Sequence, residues 1–208
     1  MEGSKLKLNL EEGTLIIKYA RNMLEQYLKG EEPDIQKYPD KFNNVLGIFV
    51  SLHTHPEHDL RGCIGIPEPI MSLIDAIKET SISAAVHDPR FQPLKHAELK
   101  NTIIEVSVLT TPEDVEVQDP MEYLEKLKVG RDGLIIEFGP YRGLLLPQVA
   151  TEYNWDTKQF LSNLCLKAGL PVTAWIDYDV KIKSFQAQVF EELIPGGPVV
   201  EKSTYTGC

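Results

Sequence analysis

The run Leu60-Arg61-Gly62-Cys63-Ile64-Gly65 places two glycines inside what otherwise reads as a short β-strand. Glycine weakens a strand unless another backbone or a ligand must come close. The side-chain period of two puts Arg61, Cys63 and Gly65 on one face, and Leu60, Gly62 and Ile64 on the other. A guanidinium two residues from a thiol, on the same side, favours thiolate and a more reactive cysteine. On this pattern Gly62 and Gly65 leave room for a group to approach the sulfur. The structural alternative is a buried cysteine packed as a small hydrophobe, with the glycines marking a bulge or close sheet packing.

The strand is expected to pair with its neighbour. The β-prone segment from Val45 to His53 precedes it across a polar loop, Thr54 to Asp59, which predicts an antiparallel hairpin. A helix is expected over residues 14 to 29, where Ile16, Ala20, Met23, Leu24, Tyr27 and Leu28 recur at helical spacing before Gly30. A second helix is expected from Pro69 to about His87, since Pro89 disfavours helical geometry at Asp88. Further strands are expected at Ile103–Thr110, Gly133–Phe138 and Gly143–Leu146, and a last long, bulged one at Val180–Leu193. Asp119-Pro120 and Asp156 with Gln159 read as starts of helices ending near Leu127 and Lys167. Hairpin-like connections predominate, so the expected fold class is α+β with a largely antiparallel sheet and helices packed on it. A main domain over residues 1–194, a small subdomain near 119–175 and a mobile tail at 195–208 complete the expected organisation.

Charge narrows the function classes. The chain has 208 residues and a formal net charge of -10. That disfavours generic binding to nucleic-acid phosphates or an anionic membrane surface. Three widely spaced cysteines suggest neither a disulfide framework nor a CxxC metal site. With no membrane-length apolar run and no signal-peptide core at Met1–Lys5, a soluble cytoplasmic protein is expected. Neither GxGxxG nor a Walker motif identifies a cofactor.

Several side chains could join Cys63. His87, in His87-Asp88-Pro89-Arg90-Phe91, is a candidate base, with Asp88 or Glu105 to orient it. The alternative is a helix C-cap with Asp88 and Arg90 as a structural pair. Glu105 and Ser107 share a face of their strand, and Glu105 could pair with Arg61 if the two strands are neighbours. Gln148 is a possible polar pocket lining. His53-x-His55-x2-His58 has the residue type for zinc or copper. Its place in a polar loop with no identified distant ligand leads to the expectation of no metal site there.

These segments also resemble a family. Leu60–Gly65 matches the LRGCIG hallmark of the AMMECR family, and Ala84–Phe91 is similar to its AAxxDxRF segment. Glu105–Leu109 resembles its EISVL strand, and Gly143–Ala150 matches its GLLLPQVA. Trp155-Asp156, Phe160-Leu161, Cys165 and Lys167–Leu170 resemble its C-terminal signature, so the likeness runs in order from about residue 15 to 192. The resemblance implies an α+β fold with a larger domain and a smaller subdomain. It implies no defined activity or cofactor. It implies Memo-like and radical-SAM proteins as pathway partners. The expected role is therefore an accessory protein that binds a ligand or partner through a groove around Arg61 and Cys63, with Gly62, Gly65, Asp88, Arg90 and Gln148 as candidate lining. The alternative is an enzyme with Cys63 as nucleophile or redox thiol, Arg61 as anion stabiliser, Glu105 as orienter and His87 as acid or base.

Overall fold

A computed structural model describes residues 7–33 and 37–203. The chain forms two compact units, one of residues up to Leu109 together with Gln188–Lys202, the other spanning Thr110–Ala187.

The first unit is a five-stranded sheet with two long helices on one face. Its strands are β1 (Gly47–Thr54), β2 (Leu60–Ile66), β3 (Thr102–Leu109), β8 (Ala187–Glu192) and β9 (Val199–Lys202), in the order β2-β1-β3-β8-β9. The helices are α1 (Leu10–Leu28) and α2 (Leu73–Val86). Asn9 starts α1 by accepting from the Glu12 N–H, while the Glu12 carboxylate accepts from the Asn9 N–H. These bonds satisfy two groups at the helix start. Ile16, Ile17, Ala20, Met23 and Leu24 are its buried side. α2 starts at Leu73 rather than at the expected Pro69, with Ser72 as its N-cap, whose hydroxyl accepts from the Asp75 N–H. His87 is the C-cap, as Pro89 requires.

The expected hairpin forms. β1 pairs antiparallel with β2, and Ser51 lies opposite Cys63. The register shifts between Leu52 and His53, at the entrance to the loop. β1 also pairs antiparallel with β3, and there Ser51 lies opposite Glu105. Ile48, Val50 and Leu52 of β1, with Ile104, Val106 and Val108 of β3, face the helices and join the core. Alternation therefore sends Phe49, Ser51, His53, Ile103, Glu105 and Ser107 to the other face.

The second unit has its own sheet, in the order β4-β7-β5-β6, from β4 (Glu113–Asp114), β5 (Gly133–Phe138), β6 (Tyr141–Leu145) and β7 (Lys181–Phe185). Its helices are α3 (Tyr123–Lys126), α4 (Pro147–Glu152), α5 (Thr157–Lys167) and α6 (Ala174–Asp177). Asp119 caps the short 3₁₀ turn before α3, and Asp156 with Gln159 forms the capping box of α5. The core includes Leu134, Ile136, Phe160, Leu161, Leu164, Cys165 and Trp175.

Two expectations are corrected. The single strand at Val180–Leu193 is two strands, β7 and β8, in different sheets. The bulge expected between Ile182 and Phe185 does not form, since β7 pairs there in unbroken register; the break falls at Gln186, whose N–H donates to the Thr110 hydroxyl and whose carbonyl accepts from the Thr110 N–H. The tail is not loose up to residue 202, since Val199–Lys202 pairs with β8 as β9. The rest of that expectation, from residue 204 onward and including Cys208, lies outside the described residues. Among the described residues no helix is long and apolar enough to cross a membrane.

Gly62 shows why the hallmark strand needs its first glycine. A Cβ there would stand 2.1 Å from the carbonyl oxygen of Ala84, on the backbone of α2. The obstacle is rigid main chain, so a side chain at 62 must push the helix off the sheet. Gly62→Val is expected to lower stability by about 1–3 kcal/mol or more. Chemical denaturation checks this, and an unchanged midpoint would show that α2 gives way without cost.

Candidate functional site

Cys63 sits on the edge strand of the first sheet, and both of its backbone groups are occupied from outside. Its N–H donates to Asp88 Oδ2 at 2.9 Å, and its carbonyl accepts from Arg90 Nη2 at 3.1 Å. Both groups therefore point away from β1. In an antiparallel ladder this makes Cys63 and Ser51 a non-hydrogen-bonded pair, in which side chains approach most closely. The Ser51 hydroxyl donates to Cys63 Sγ at 3.2 Å accordingly.

Asp88 organises this corner. Its buried carboxylate accepts from the Cys63 N–H, from the Arg90 N–H at 3.1 Å, and from Arg90 Nε and Nη2 at 2.9 and 2.6 Å. Charge-assisted bonds of this kind favour the ionised form. The bonds from Arg90, then that from the Cys63 N–H, outweigh burial and hold the Asp88 pKa at about 2, below its ordinary 3.8. The Asp88–Arg90 pair also closes part of an exposed sheet edge, which otherwise invites pairing with other chains. The Arg90 side chain remains 54% exposed and lies over the Phe91 ring.

The sequence-based expectations for this corner are partly redrawn. Arg61 does not pair with Glu105. Its Nη2 donates to Glu98 Oε1 at 3.2 Å, because β1 separates β2 from β3. Arg61 Nη1 is buried and has no hydrogen-bond partner among the described residues. The cation that acts on the Cys63 sulfur is Arg90. Burial nevertheless dominates and pushes the thiol pKa up, aided by Glu105 and Asp88, against the Ser51 hydrogen bond and Arg90. Burial thus works against the thiolate that Arg61 was expected to favour.

The glycines fit the fold's own groups. Gly62 admits the α2 backbone, and Gly65 admits the Phe49 ring, which a Cβ would meet at 2.2 Å. His87 is exposed at its helix end, while the adjacent Asp88 is the group that reaches Cys63. Gln148 lies on α4, in the second unit.

A second polar cluster continues the row across the sheet. Glu105 on β3 and Glu191 on β8 are buried, at 7% and 8% exposure. Lys202 on β9 reaches between them, with Nζ 2.9 Å from Glu105 Oε2 and 3.2 Å from Glu191 Oε1. Burial pulls the Lys202 pKa down, but the two carboxylates outweigh it and the net shift is upward. His58 comes from the hairpin loop, in a left-handed backbone conformation with φ of 61°, and its Nε2 lies 2.7 Å from Glu191 Oε1. Its ring stacks on His53 with centroids 4.4 Å apart.

His53 is half-buried, yet among the described residues both of its ring nitrogens are shut off from solvent without a well-formed hydrogen bond. Burial and then the neighbouring His58 hold its pKa at about 4, below the ordinary 6.5, although Glu191 pulls the other way. His53, Glu105 and Glu191 offer donor atoms all within 4.8 Å of one another. The histidine motif therefore has distant carboxylates that spacing along the chain did not reveal. Ser51, Glu191 and Lys202 are the polar residues that the sequence reading missed. Strand alternation can place each on a face, but only the register of four strands brings them together.

The Asp88 corner yields a stability test. Asp88→Asn removes an acceptor charge that serves four donors and is expected to cost about 1–3 kcal/mol at neutral pH. The Asp88 pKa is lower in the fold than its ordinary value, so its contribution is present above about 3.8 and lost as pH falls through about 2. The gap between wild type and Asp88→Asn should narrow across that window in denaturation titrations. A gap that stays constant with pH would show that the carboxylate charge contributes nothing.

Comparison with known proteins agrees with this architecture. The AMMECR1 family model matches residues 17–190. A protein from Methanocaldococcus jannaschii is 57% identical over 94% of this chain and 97% of its own length. One from Pyrococcus furiosus is 49% identical over 92% of this chain and 93% of its own. The crystal structure of an uncharacterized protein from Pyrococcus horikoshii superposes with a TM-score of 0.89 at 46% identity, covering 94% of this chain and 98% of that one. With its α+β fold and a family match over most of its length, the chain belongs to the AMMECR1 family.

Proposed function

We propose that this chain is an accessory protein that binds a ligand or a partner surface on the sheet face around Arg61 and Cys63. Its partners in this reading are the Memo-like and radical-SAM proteins that the family resemblance implies. Arg90 offers the exposed cation for an anionic group, and Cys63 lines the surface as a protonated thiol. The observation that carries the reading is the hydrogen-bonded frame around Cys63. Ser51 donates to its sulfur, and Asp88 and Arg90 hold its main chain. That frame fixes a surface, while burial holds the thiol in its weakly nucleophilic form.

Alkylation rate against pH tests this, in a Cys165→Ala, Cys208→Ser background that leaves Cys63 as the reporter. The folded protein should show a midpoint above the ordinary thiol value of about 8.5. Arg90→Gln should move it further up, because the Arg90 charge favours thiolate. The same shift predicts a stability trend. A folded pKa above the unfolded one gives a contribution that is complete below about 8.5 and is lost as pH rises toward the folded value. A midpoint below 8.5 would sink the binding reading and favour an enzyme with Cys63 as nucleophile or redox thiol.

A further inference from the structure

The cluster beside Cys63 has the composition of a metal site with a side chain of the protein lodged in it. We propose that His53, Glu105 and Glu191 form a binding site for a divalent transition-metal ion of the zinc class, and that Lys202 competes with the metal for it. The proposal rests on residues other than Cys63 and does not depend on whether that thiol is a lining group or a nucleophile.

The donor set fits such an ion. Imidazole nitrogen and carboxylate oxygen are both zinc ligands, and three protein ligands leave a further position for water or substrate. Metal–ligand distances of about 2.1 Å separate tetrahedral donors by about 3.4 Å. The observed donors lie within 4.8 Å of one another, so side-chain adjustments of about 1 Å close the site. All three residues stand on strands of one sheet, a firmer base than a hairpin loop.

Two independent observations point to a cation-binding position. The first is His53 itself. Its ring nitrogens are buried and make no hydrogen bond of good geometry among the described residues, with only a weak backbone contact from His58. A buried polar atom without a partner is costly, and a metal would satisfy one of them. The second is the cation already present. The Lys202 ammonium lies about equally far from Glu105 and Glu191, where a positive charge balances two buried carboxylates. The lysine side chain is 38% exposed and emerges from the terminal strand of the sheet, so a rotamer change takes it to solvent. His58 then keeps its contact with Glu191 and orients that carboxylate, as outer hydrogen bonds do at metal centres.

The test uses the full chain, stripped with EDTA, loaded with Zn²⁺ and dialysed against metal-free buffer, with retained zinc measured by mass spectrometry. Affinity is then measured by titration against a zinc-competing dye. Lys202→Met should bind zinc at least about tenfold more tightly than wild type, since a competing positive charge is gone. His53→Gln and Glu105→Gln, each placed in the Lys202→Met background, should lose at least about tenfold of that affinity. Because Lys202→Met is expected to gain binding, misfolding cannot imitate the result. Thermal midpoints of the double variants, measured without metal, separate ligand loss from unfolding. A Lys202→Met protein that binds zinc no more tightly than wild type overturns the proposal. So does one whose affinity survives His53→Gln.

Discussion

The antiparallel register of β1 is the constraint on which both polar clusters depend. It sets Ser51 opposite Cys63 on one side and opposite Glu105 on the other. A slip of one residue would turn Ser51 and His53 into the helix-facing core and push Val50 or Leu52 to the other face. The burial of Ile48, Val50 and Leu52 therefore enforces the chemistry on the opposite face. No polar residue has to specify its own location, because the apolar half of the strand does it.

The hallmark hexapeptide follows from the same packing. Gly62 exists because α2 passes close to β2, and Gly65 because Phe49 lies over it. The end of α2 then delivers Asp88 and Arg90 to the outer edge of β2, where they take up the main-chain groups of Cys63. Helix, turn and strand are thus joined by two close approaches and one buried carboxylate. The motif looks catalytic in sequence because it combines a cation, a thiol and small residues. In three dimensions most of these residues fasten a helix end to a sheet edge.

Local signals were legible in the sequence, and long-range register was not. The hairpin, the capping box at Asp156 and the stop at His87 depend on residues a few positions apart, and they stand as read. The α+β class followed from them. The pairing of Arg61 failed because a face assignment says nothing about which strand lies next door, and β1 intervenes. Lys202 was missed because the segment after Pro195-Gly196-Gly197-Pro198 offers little apolar content. Yet Val199–Lys202 needs only the free edge of β8 to become a strand. Glu191 was hidden inside a run taken as one strand, whose true break at Gln186 changes which sheet it serves.

The two clusters form one electrostatic system, with Glu105 as the shared member. Its charge raises the Cys63 pKa, and the same carboxylate accepts from Lys202. A positive charge held against Glu105 screens its effect on the sulfur, and loss of that charge restores it. The occupant of the space between Glu105 and Glu191 therefore bears on the acidity of a thiol two strands away. Arg90 acts on Cys63 from the opposite side, through the edge of the sheet. The sulfur thus lies between a cation fixed by Asp88 and a carboxylate whose own counter-charge is the Lys202 ammonium. Burial sets its resting state as neutral, and Glu105 is the group through which a change elsewhere on the face would reach it.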